Sequence, residues 1–503
     1  MSPSKSLLSD YSEVDISYLT KELSYVNTAN QHAMKRHYSN VWLKKKNKAA
    51  WEARLAELKS SINKCLLFDE DGQKYIRPGS IKYLDLKGSA ITDHIKYPTP
   101  KKVPWAKQLP FELHPYQETS VNELIKVKHG NVELCTGAGK SAILLKLCRE
   151  TGFRTVIVAP STSIFNELLE KFETHLGRSH VGALGDGKRR IGKLFTICIG
   201  DSLSNIKPGT DEWEFFSTAN MMCVDESHTW GAESLEGICH GILANIPYRM
   251  FFSGTQTRGD GGEKLLQSII GETVHRLSTK DAVAGGYICP HDFTIIDLES
   301  SNPNFNSSDV LEMKRVHFLG NRNIAAFIAK LANAEAQAHG RQTLILVEEL
   351  SQILALMPLL KVPYAYAHAE KNAKRFQEIL DNTGMVLEKV DPAESVEKFN
   401  KNEVKVLIGT SCIATGTNIY PTHNTCNWVG GSSEIKTKQG AVGRSVRLSN
   451  QNPWADKCLN KDVAHIWDFN VYDVPVLAKH MDERISYYKD SGSAIRYIRF
   501  KPI

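Results

Sequence analysis

From residue 113 to the C-terminus, short apolar runs alternate with segments of helical periodicity, and this alternation limits the chain to few architectures. Strands that alternate with helices form mostly parallel sheets whose two faces the helices cover. The runs fall into two series separated by Gly285, Gly286 and Pro290, so we predict an α/β chain with two such sheets and a boundary near residue 285. The predicted strands are Asn131–Cys135, Thr155–Ala159, Leu194–Ile199, Met221–Val224 and Arg249–Ser253, then Gln342–Val347, Lys405–Gly409, Asn427–Val429 and Val463–Phe469.

Composition excludes several classes of protein. The 503 residues are 42% hydrophobic and 23% charged, which is typical of globular protein and excludes wholesale disorder. No uncharged apolar run approaches the roughly 18 residues of a membrane span, and Met1–Lys5 opens no signal region. The ten cysteines include no Cys-x-x-Cys pair, which predicts reduced thiols and neither disulfides nor a zinc finger. We therefore expect a cytoplasmic protein (in the host cytoplasm if viral) that does not bind membranes.

The first 112 residues carry the basic excess of the chain. They hold 19 Lys and Arg against 12 Asp and Glu, a net charge of +7, whereas the whole chain has a net charge of +6. Such a concentration of positive charge is typical of a surface for a polyanion such as nucleic acid. Within it, Lys44–Lys48 lies between Trp42 and Trp51. Either this is a solvated helix face that the tryptophans anchor to a core, or it contacts phosphates and the tryptophans stack on bases.

Residues 1–112 are predicted to form a small basic α+β domain that binds nucleic acid. Helical periodicity over Ala49–Leu58 gives way, between Leu66 and Leu86, to short strands with turn residues. A stretch rich in Pro and Lys follows, Tyr97–Pro104. Because proline continues neither a helix nor a central strand, we interpret this stretch as a linker.

The first strand of the first series ends in a glycine-rich loop with the sequence Thr136-Gly137-Ala138-Gly139-Lys140-Ser141. Glycines let consecutive N–H groups point inward, and the helix that follows adds the positive end of its dipole, so the loop is suited to phosphate. Lys140 can reach the β- and γ-phosphates, and the Ser141 hydroxyl can ligate Mg²⁺. Leu134 stands where the full pattern has glycine, but the order of strand, loop and helix supports the site.

An acidic pair, Asp225 and Glu226, follows the fourth predicted strand. Open α/β sheets bind ligands at the carboxyl ends of their strands. Asp225 can hold Mg²⁺, and Glu226 can orient or deprotonate an attacking water. Surface charge is the alternative interpretation, and Lys140 and Ser141 upstream favour a site.

The motifs from residue 113 onwards resemble, in order, those of superfamily 2 helicases. Thr136–Ser141 resembles motif I, and Asp225–His228 resembles the DExH form of motif II. In Leu113–Gln117, the resemblance implies that Gln117 contacts adenine. Segments similar to motifs Ia, Ib and III would grip the nucleic-acid backbone or couple hydrolysis to strand movement. The backbone contacts would be Pro160, Ser161, Gly200 and Asp201, and the coupling residues would be His228, Ser253 and Thr255.

The second series carries segments that resemble motifs IV to VI. Thr343–Glu348 is similar to motif IV, and in the segment similar to motif V the resemblance implies a nucleic-acid contact at Thr410 and a nucleotide contact at Gly416. Arg444 and Arg447 match the two arginines of motif VI that reach the γ-phosphate. We expect them on one helix face because they are three residues apart. Gln439 lies one residue earlier than the family's glutamine position, which is Gly440 here, so its contact with the γ-phosphate stays open.

The chain is most like phage branch-migration DNA helicases of the UvsW type. The features are the basic N-terminal domain, a compact core and a terminal helix from about Val474, with Arg484, Tyr487, Tyr488 and Lys489 on its polar side and at least one tyrosine in the core. The resemblance implies two RecA-like domains, 113–285 and 286–503, that bind ATP and Mg²⁺.

The function that this resemblance implies is ATP-dependent unwinding or branch migration of forked and junction DNA, in recombination, repair and replication. A DExH RNA helicase and a duplex translocase that does not separate strands are the alternatives. We expect single-stranded, forked or branched DNA as the partner, and a monomeric or weakly self-associating chain.

Overall fold

The computed structural model describes residues 6–8, 13–26, 28–38, 41–60, 63–83, 95–105, 108–230, 232–254, 263–368, 373–410, 413, 418–431 and 441–500. This part of the chain divides into two compact units, residues 1–134 with 139–276 and residues 135–138 with 277–503. Each unit contains one large, mainly parallel sheet. The predicted α/β architecture of two RecA-like parallel-sheet domains is thus confirmed.

The N-terminal region is a mixture of short helices and strands. Its four helices are α1 (Glu13–Glu22), α2 (Thr28–Tyr38), α3 (Val41–Lys46) and α4 (Lys48–Ser60). Its strands are β1 (Ser6–Leu7), β2 (Ser24–Val26), β3 (Asn63–Cys65), β4 (Leu67–Glu70) and β5 (Gln73–Ile76), and a 3₁₀ helix, Pro78–Tyr83, follows them. The strands form two small antiparallel sheets, β1-β5-β4 and β2-β3.

The first unit is built on an eight-stranded sheet. Its strands are β6 (His129–Leu134), β7 (Thr155–Ala159), β8 (Val181–Gly185), β9 (Lys188–Arg190), β10 (Phe195–Ile199), β11 (Met221–Val224), β12 (Tyr248–Ser253) and β13 (Glu272–Leu277). The strand order is β13-β6-β12-β11-β7-β10-β8-β9, and the strands from β6 to β8 in this order are parallel. The helices are α5 (Pro115–Val127), α6 (Lys140–Thr151), α7 (Thr162–Leu176), α8 (Gly200–Ser204), α9 (Asp211–Ser217), α10 (Ala232–His240) and α11 (Glu263–Ile270).

The second unit is built on a seven-stranded, wholly parallel sheet with the order β16-β17-β15-β18-β19-β14-β20. The strands are β14 (His291–Leu298), β15 (Thr343–Val347), β16 (Tyr364–Ala367), β17 (Val406–Gly409), β18 (Asn424–Trp428), β19 (Ala464–Val471) and β20 (Ile495–Arg499). The helices are α12 (Thr279–Ala284), α13 (Val310–Lys314), α14 (Arg322–His339), α15 (Leu350–Leu356), α16 (Ala373–Thr383) and α17 (Pro392–Asn400), then the single turn Gly443–Ser445 and the terminal helix Pro475–Asp490. A π-helical turn, Arg315–Leu319, continues α13.

The N-terminal region packs onto the first unit through a shared hydrophobic core. Leu19, Leu23, Leu66 and Ile76 are buried in one cluster with residues of α10 and α11. Arg77 forms an ion pair with Glu236 of α10. Gly79 lies so close to α11 that a Cβ there would be 2.5 Å from the Gln267 carbonyl oxygen. The region is therefore part of one compact body with the helices that follow strands β11 and β12.

The stretch predicted as a linker is irregular, but it packs along the first unit. The Lys101 N–H donates to the Thr151 carbonyl over 2.8 Å. Tyr97 contacts Tyr248 edge-on, and Trp105 stacks on Phe195 with ring centroids 5.8 Å apart. A Cβ at Gly152 would lie 2.2 Å from the Lys101 oxygen. Residues 95–105 therefore pack against the end of α6 and the first residues of β10 and β12.

The surroundings of the Trp51 side chain distinguish between a tryptophan anchored in a core and one that stacks on bases. It is buried, stacks on His37 at 5.3 Å, and has the Lys44 ammonium 4.8 Å from its ring centroid. It is therefore a core residue and cannot stack on bases. The side chain of Trp42 lies outside the described residues.

Two expectations about the second unit are wrong. Arg484 does not lie on the polar side of the terminal helix: it is 2% exposed and pairs with Asp468, Nε to Oδ2, over 2.7 Å. Tyr488 is also buried, and its hydroxyl donates to the same Asp468 oxygen over 2.6 Å. Arg444 and Arg447 do not share a helix face, because the helical turn ends at Ser445. The buried Asp468 carboxylate holds Arg484 inside the core. The end of the helical turn at Ser445 separates Arg447 from the helix that contains Arg444.

Among the described residues, no helix is long and apolar enough to cross a membrane. The cysteines in this part of the chain are free thiols.

Candidate nucleotide site and coupling residues

The glycine-rich loop connects β6 to α6. Gly137 and Gly139 have φ values of 89° and 75°, a left-handed conformation that glycine adopts without strain. The Ala138 N–H donates to the Cys135 carbonyl over 3.2 Å, which closes the turn. Helix α6 begins at Lys140, with Gly139 as its N-cap. The N–H groups at a helix N-terminus and the positive end of the helix dipole favour an anion at such a position.

The acidic pair lies where β11 ends. Asp225 is held there by its N–H, which donates to the Val158 carbonyl of the neighbouring β7 over 3.0 Å. Glu226 Oε1 lies 3.0 Å from Lys140 Nζ, and both side chains are mostly buried. The structure thus brings together Lys140, Asp225 and Glu226, which are distant in sequence.

The Asp225 carboxyl is electrostatically unusual. Burial is the main cause that raises its pKa, the adjacent charge of Glu226 raises it further, and Lys140 opposes both, which leaves the pKa at about 7. Asp225 Oδ1 also accepts a hydrogen bond from the Glu226 N–H over 2.9 Å. A buried carboxyl crowded by another is stabilised by an added cation.

The oxygen donors at this site fit Mg²⁺. The Ser141 hydroxyl and the Asp225 carboxylate are hard oxygen ligands of the kind that Mg²⁺ prefers. The part of the chain that the structure describes contains no cluster of three or more His, Cys, Asp or Glu side chains able to hold a metal. Mg²⁺ is usually bound by one or two protein oxygens together with waters and substrate phosphates.

Gln117 lies beside the glycine-rich loop. Its Oε1 accepts a hydrogen bond from the His114 N–H over 2.9 Å at the start of α5. A Cβ at Gly139 would lie 2.5 Å from Gln117 Nε2, so the amide rests against the glycine. Gln117 is thereby held next to the N-terminus of α6, which is consistent with a role at the nucleotide.

A buried hydrogen bond links the ends of β11 and β12. His228 Nδ1 and Ser253 Oγ are 2.7 Å apart, and His228 Nδ1 is 3.6 Å from Glu226 Oε2. A displacement of Glu226 can therefore reach Ser253 through one imidazole ring. The coupling role of His228 and Ser253 stays a prediction, and Thr255 lies outside the described residues.

The predicted nucleic-acid contacts of the first unit lie at one edge of its sheet. Ser161 follows β7 and Gly200 follows β10, and these strands are parallel neighbours. The Ser161 hydroxyl caps α7 by accepting from the Ile164 N–H over 3.4 Å. Gly200 has a packing role, since a Cβ there would lie 1.9 Å from the Trp230 ring. Trp230 is thus packed against the sheet, next to Asp225, whose carbonyl accepts from its Nε1.

The same edge includes Pro160, directly after β7, and Asp201, an exposed residue in the first turn of α8. In the second unit, Thr410 directly follows β17, and its N–H donates to the Ala367 carbonyl over 3.1 Å. Contact of these residues with nucleic acid stays a prediction.

The two motif VI arginines, Arg444 and Arg447, lie in the second unit. Arg444 is buried, whereas Arg447 donates from Nη1 to Asn418 Oδ1 and lies over the Tyr420 ring, 5.7 Å from its centroid. Asn418 belongs to the segment that resembles motif V, and Tyr420 follows this segment directly, so these contacts of Arg447 join the motif V segment to the motif VI segment. Gly416 and Gln439 lie outside the described residues.

Sequence reasoning missed Lys461. Its buried ammonium donates to the Ser445 carbonyl over 2.6 Å and to the Tyr420 carbonyl over 3.0 Å, and burial lowers its pKa to about 8. It therefore fastens the motif VI turn to the chain after motif V. A single lysine in a loop carries no sequence signal for such a contact.

Sequence reasoning also missed Lys171 of α7, which donates to the Ser141 hydroxyl, and Glu167 of the same helix, which accepts from Lys171. An i, i+4 pair of opposite charge was a usable signal, but such pairs usually lie on solvated helix faces.

The fold and the site together define the class of protein. A glycine-rich loop with Lys140 and Ser141, an acidic pair on a neighbouring strand and two RecA-like sheets in tandem make up the core of superfamily 2 helicases. The chain has the loop, the acidic pair and the two sheets, and it is therefore similar to this class of ATP-hydrolysing nucleic-acid motors. Residues 110–258 match the family described as "Type III restriction enzyme, res subunit".

The chain is also similar to individual proteins. The chain is 24% identical over 379 residues to the DNA 3'-5' translocase XPB2 of Sulfurisphaera tokodaii, an alignment that covers 70% of this chain and 82% of the relative. The structure of T4 UvsW aligns over 99% of this chain and 98% of that chain, with 16% identity and a TM-score of 0.39. The type ISP restriction-modification enzyme LlaBIII, bound to DNA, aligns with a TM-score of 0.52 and 12% identity over 78% of this chain and 32% of that longer chain.

Proposed function

We propose that this protein is an ATP-driven DNA motor that unwinds or branch-migrates forked and junction DNA. The observation that carries the proposal is the Lys140–Glu226 pair, 3.0 Å apart, beside the buried Asp225 and connected through His228 to Ser253. This arrangement supplies a phosphate-binding cation, a base for water and a hydrogen-bonded route from the site to the neighbouring strand end.

The chemistry follows from the ion pair. The phosphates of ATP attract the Lys140 ammonium, which then leaves Glu226. Once the ion pair with Lys140 is broken, the Glu226 carboxylate can orient or deprotonate the attacking water. The binding of ATP thus prepares the base. Ser141 and Asp225 would hold Mg²⁺, which supplies charge neutralisation at the phosphate oxygens when bound.

The arginines complete the proposed chemistry. In the resemblance to superfamily 2, Arg444 and Arg447 reach the γ-phosphate as hydrolysis proceeds. Arginine fingers stabilise the charge of the transition state and contribute about 10³–10⁵ in rate in related phosphoryl-transfer enzymes. The hydrogen bond from Arg447 to Asn418 and the Lys461 clamp support this role, because they hold the chain that carries both arginines.

DNA is the proposed track. The basic N-terminal region and the strand ends at Ser161 and Gly200 offer a surface for the phosphate backbone, where contacts carry no sequence information. The XPB2 relative is a DNA translocase, and the LlaBIII enzyme is bound to DNA in its solved structure. Binding that depends on phosphate contacts is expected to weaken steeply with salt.

A second candidate is a translocase that moves on duplex DNA without separating strands. The match of residues 110–258 to a restriction-enzyme subunit and the name of the XPB2 relative favour it. The two candidates share the ATPase site, so only the mechanical output distinguishes them.

The test is steady-state ATPase activity with no nucleic acid, single-stranded DNA, duplex DNA, a four-way DNA junction and matched RNA, with Lys140→Ala as the blank. Stimulation by the junction, together with strand displacement on forked DNA, supports the helicase. Stimulation by duplex without displacement supports the translocase. Stimulation by RNA alone, or by no nucleic acid, contradicts the proposal.

A further inference from the structure

A second ammonium group reaches the phosphate loop from outside the motifs. Lys171 lies in α7, and its Nζ donates to the Ser141 hydroxyl over 3.0 Å. The same Nζ lies 2.6 Å from Oε1 of Glu167, one turn earlier in the helix. Both side chains are more than two-thirds buried. Lys171 is thus held, by its own helix, on the hydroxyl that we assign to Mg²⁺.

The charges around Ser141 form two ammonium–carboxylate pairs. Lys140 pairs with Glu226, and Lys171 pairs with Glu167. The negative charge of Glu167 also reaches Asp225, where it adds a small contribution to the larger effects of burial and Glu226 on the pKa of that carboxyl. Lys171 therefore lies within the field of the same carboxylates that would attract a divalent cation.

A metal ion and an ammonium group cannot share this hydroxyl without a cost. A hydroxyl oxygen has two lone pairs, and Lys171 uses one of them. An Mg²⁺ ion on the other lone pair, about 2.1 Å from the oxygen, would face an ammonium only a few ångströms away in a partly buried site, where like charges repel strongly.

From this geometry we infer that Lys171 is a resident cation that competes with Mg²⁺ for Ser141. It neutralises the carboxylates when no nucleotide is bound and must withdraw towards Glu167 as the metal–nucleotide complex binds. Because of this competition, the site binds the metal more weakly than Ser141 and Asp225 would bind it without the Lys171 ammonium. This inference rests on the proposed function, since it requires that the loop bind a metal–nucleotide complex.

Three substitutions separate the effect of the charge from that of packing. Lys171→Met keeps most of the aliphatic stem and removes the cation. Lys171→Arg keeps the cation. Lys146→Met is the matched control, because Lys146 forms an i, i+4 ion pair with Glu150 on α6. Thermal melting of each variant checks that the fold is retained.

The experiment measures metal binding and uses no enzymatic activity. Full-length protein with ADP is titrated with Mn²⁺, and free Mn²⁺ is followed by electron paramagnetic resonance. ADP affinity is measured separately with a fluorescent analogue, in EDTA and in excess Mg²⁺. Lys171→Met is expected to bind Mn²⁺ about tenfold more tightly than wild type. Lys171→Arg and Lys146→Met are expected to stay within about twofold of wild type. Because metal and nucleotide binding are linked, the ADP affinity of Lys171→Met in excess Mg²⁺ is expected to rise by the same factor of about ten, while its ADP affinity in EDTA stays within about twofold of wild type.

Two results overturn the inference while leaving the proposed function intact. One is an Mn²⁺ affinity that is unchanged or weaker in Lys171→Met. The other is a loss of ADP affinity in EDTA for Lys171→Met, which would show that Lys171 binds phosphate. If wild-type protein binds neither ADP nor Mn²⁺, the proposed function fails and the inference fails with it.

Discussion

At the scale of a single residue, two side-chain contacts and an unusual backbone conformation fix the position of Glu226. It pairs with Lys140, approaches His228 and has a left-handed backbone with φ of 45°. A non-glycine residue in that conformation is strained by roughly 1–3 kcal/mol, and such strain is kept where the surroundings hold it in place.

Glu226→Gln tests the role of this carboxylate as a base. We expect ATP turnover to fall by about 10²–10⁴ because the amide cannot accept a proton. ATP affinity is expected to stay the same or to rise, because Lys140 no longer has an ion-pair partner to leave. The measurement is kcat together with the Kd of a slowly hydrolysed ATP analogue.

The control for Glu226→Gln is Glu150→Gln, which removes the partner of Lys146 on the surface of α6. That variant is expected to keep wild-type turnover. A Glu226→Gln protein that hydrolyses ATP at the wild-type rate would rule out Glu226 as the base.

His129 makes stability dependent on pH. Burial lowers its pKa from about 6.5 to about 4, and the nearby Arg249 guanidinium lowers it too. The folded state therefore binds fewer protons than the unfolded state between these values, so stability is present above pH 6.5 and is lost as the pH falls to 4. The slope from this residue is at most about 1.4 kcal/mol per pH unit.

Urea unfolding at a series of pH values between 7.5 and 4 measures this slope, and His129→Gln is expected to flatten it. His339→Gln, at the exposed end of α14, serves as the matched substitution and is expected to leave the slope unchanged. An identical pH profile in wild type and His129→Gln would contradict the assignment.

At the scale of elements, the N-terminal region packs against the helices that follow strands β11 and β12. Helix α10 follows the DExH segment and α11 follows β12, and both contribute to the core that buries Leu19, Leu23 and Ile76. The Lys264 ammonium of α11 also donates to the Glu22 and Ser24 carbonyls over 3.0 and 3.1 Å. Any movement of these helices during turnover would move the basic N-terminal region with them.

Gly79→Ala tests this docking. The added methyl group would lie 2.5 and 2.6 Å from the Gln267 and Ser268 carbonyl oxygens, so the 3₁₀ helix or α11 must shift. Overpacking of this kind destabilises by typically 1–3 kcal/mol, which a thermal melt detects as a lower Tm. Gly237→Ala, within α10 and with nothing within 4 Å of its new Cβ, is expected to be neutral or stabilising. Equal Tm values for the two variants would show that the close approach does not exist.

At the scale of the whole molecule, positive charge is concentrated at one end of the chain. Lys44, Lys45 and Lys46 of α3 are exposed, while Trp51 beside them is buried. The segment can therefore contact phosphates through its lysines but offers no Trp51 ring to bases. Its binding is expected to be electrostatic and independent of sequence.

Replacement of these three lysines by glutamine is expected to weaken DNA binding equally for all sequences. It is also expected to reduce the slope of log K against log salt by up to about 0.9 for each DNA phosphate that the protein no longer neutralises. Fluorescence anisotropy across a salt series measures both. Glutamines at Lys361, Lys389 and Lys457, all exposed in the second unit, match the change in net charge. If the two triple variants weaken DNA binding equally, the lysines of α3 have no special role in DNA binding.

Local pattern was enough for the elements that carry the motifs. All five predicted strands of the first series are present within two residues of their predicted ends, because each is a short apolar run buried on both faces. Strand β8 was missed since Val181–Gly185 contains two glycines, which favour strands poorly. Gly182 is tolerated for a reason that only the fold supplies: a Cβ there would lie 2.6 Å from the Arg190 carbonyl oxygen.

The sequence by itself determined the two-sheet architecture, the glycine-rich loop and the acidic pair, because periodicity and loop chemistry act over a few residues. Only the tertiary structure placed Lys140 on Glu226, His228 on Ser253, Lys171 on Ser141 and Lys461 on the motif VI turn. It also buried Arg484 and Trp51, which a local pattern assigns to polar or base-stacking surfaces. The reason is physical: whether a charged or aromatic side chain lies in water or in a core depends on partners that arrive from distant strands, and no spacing within one segment encodes them.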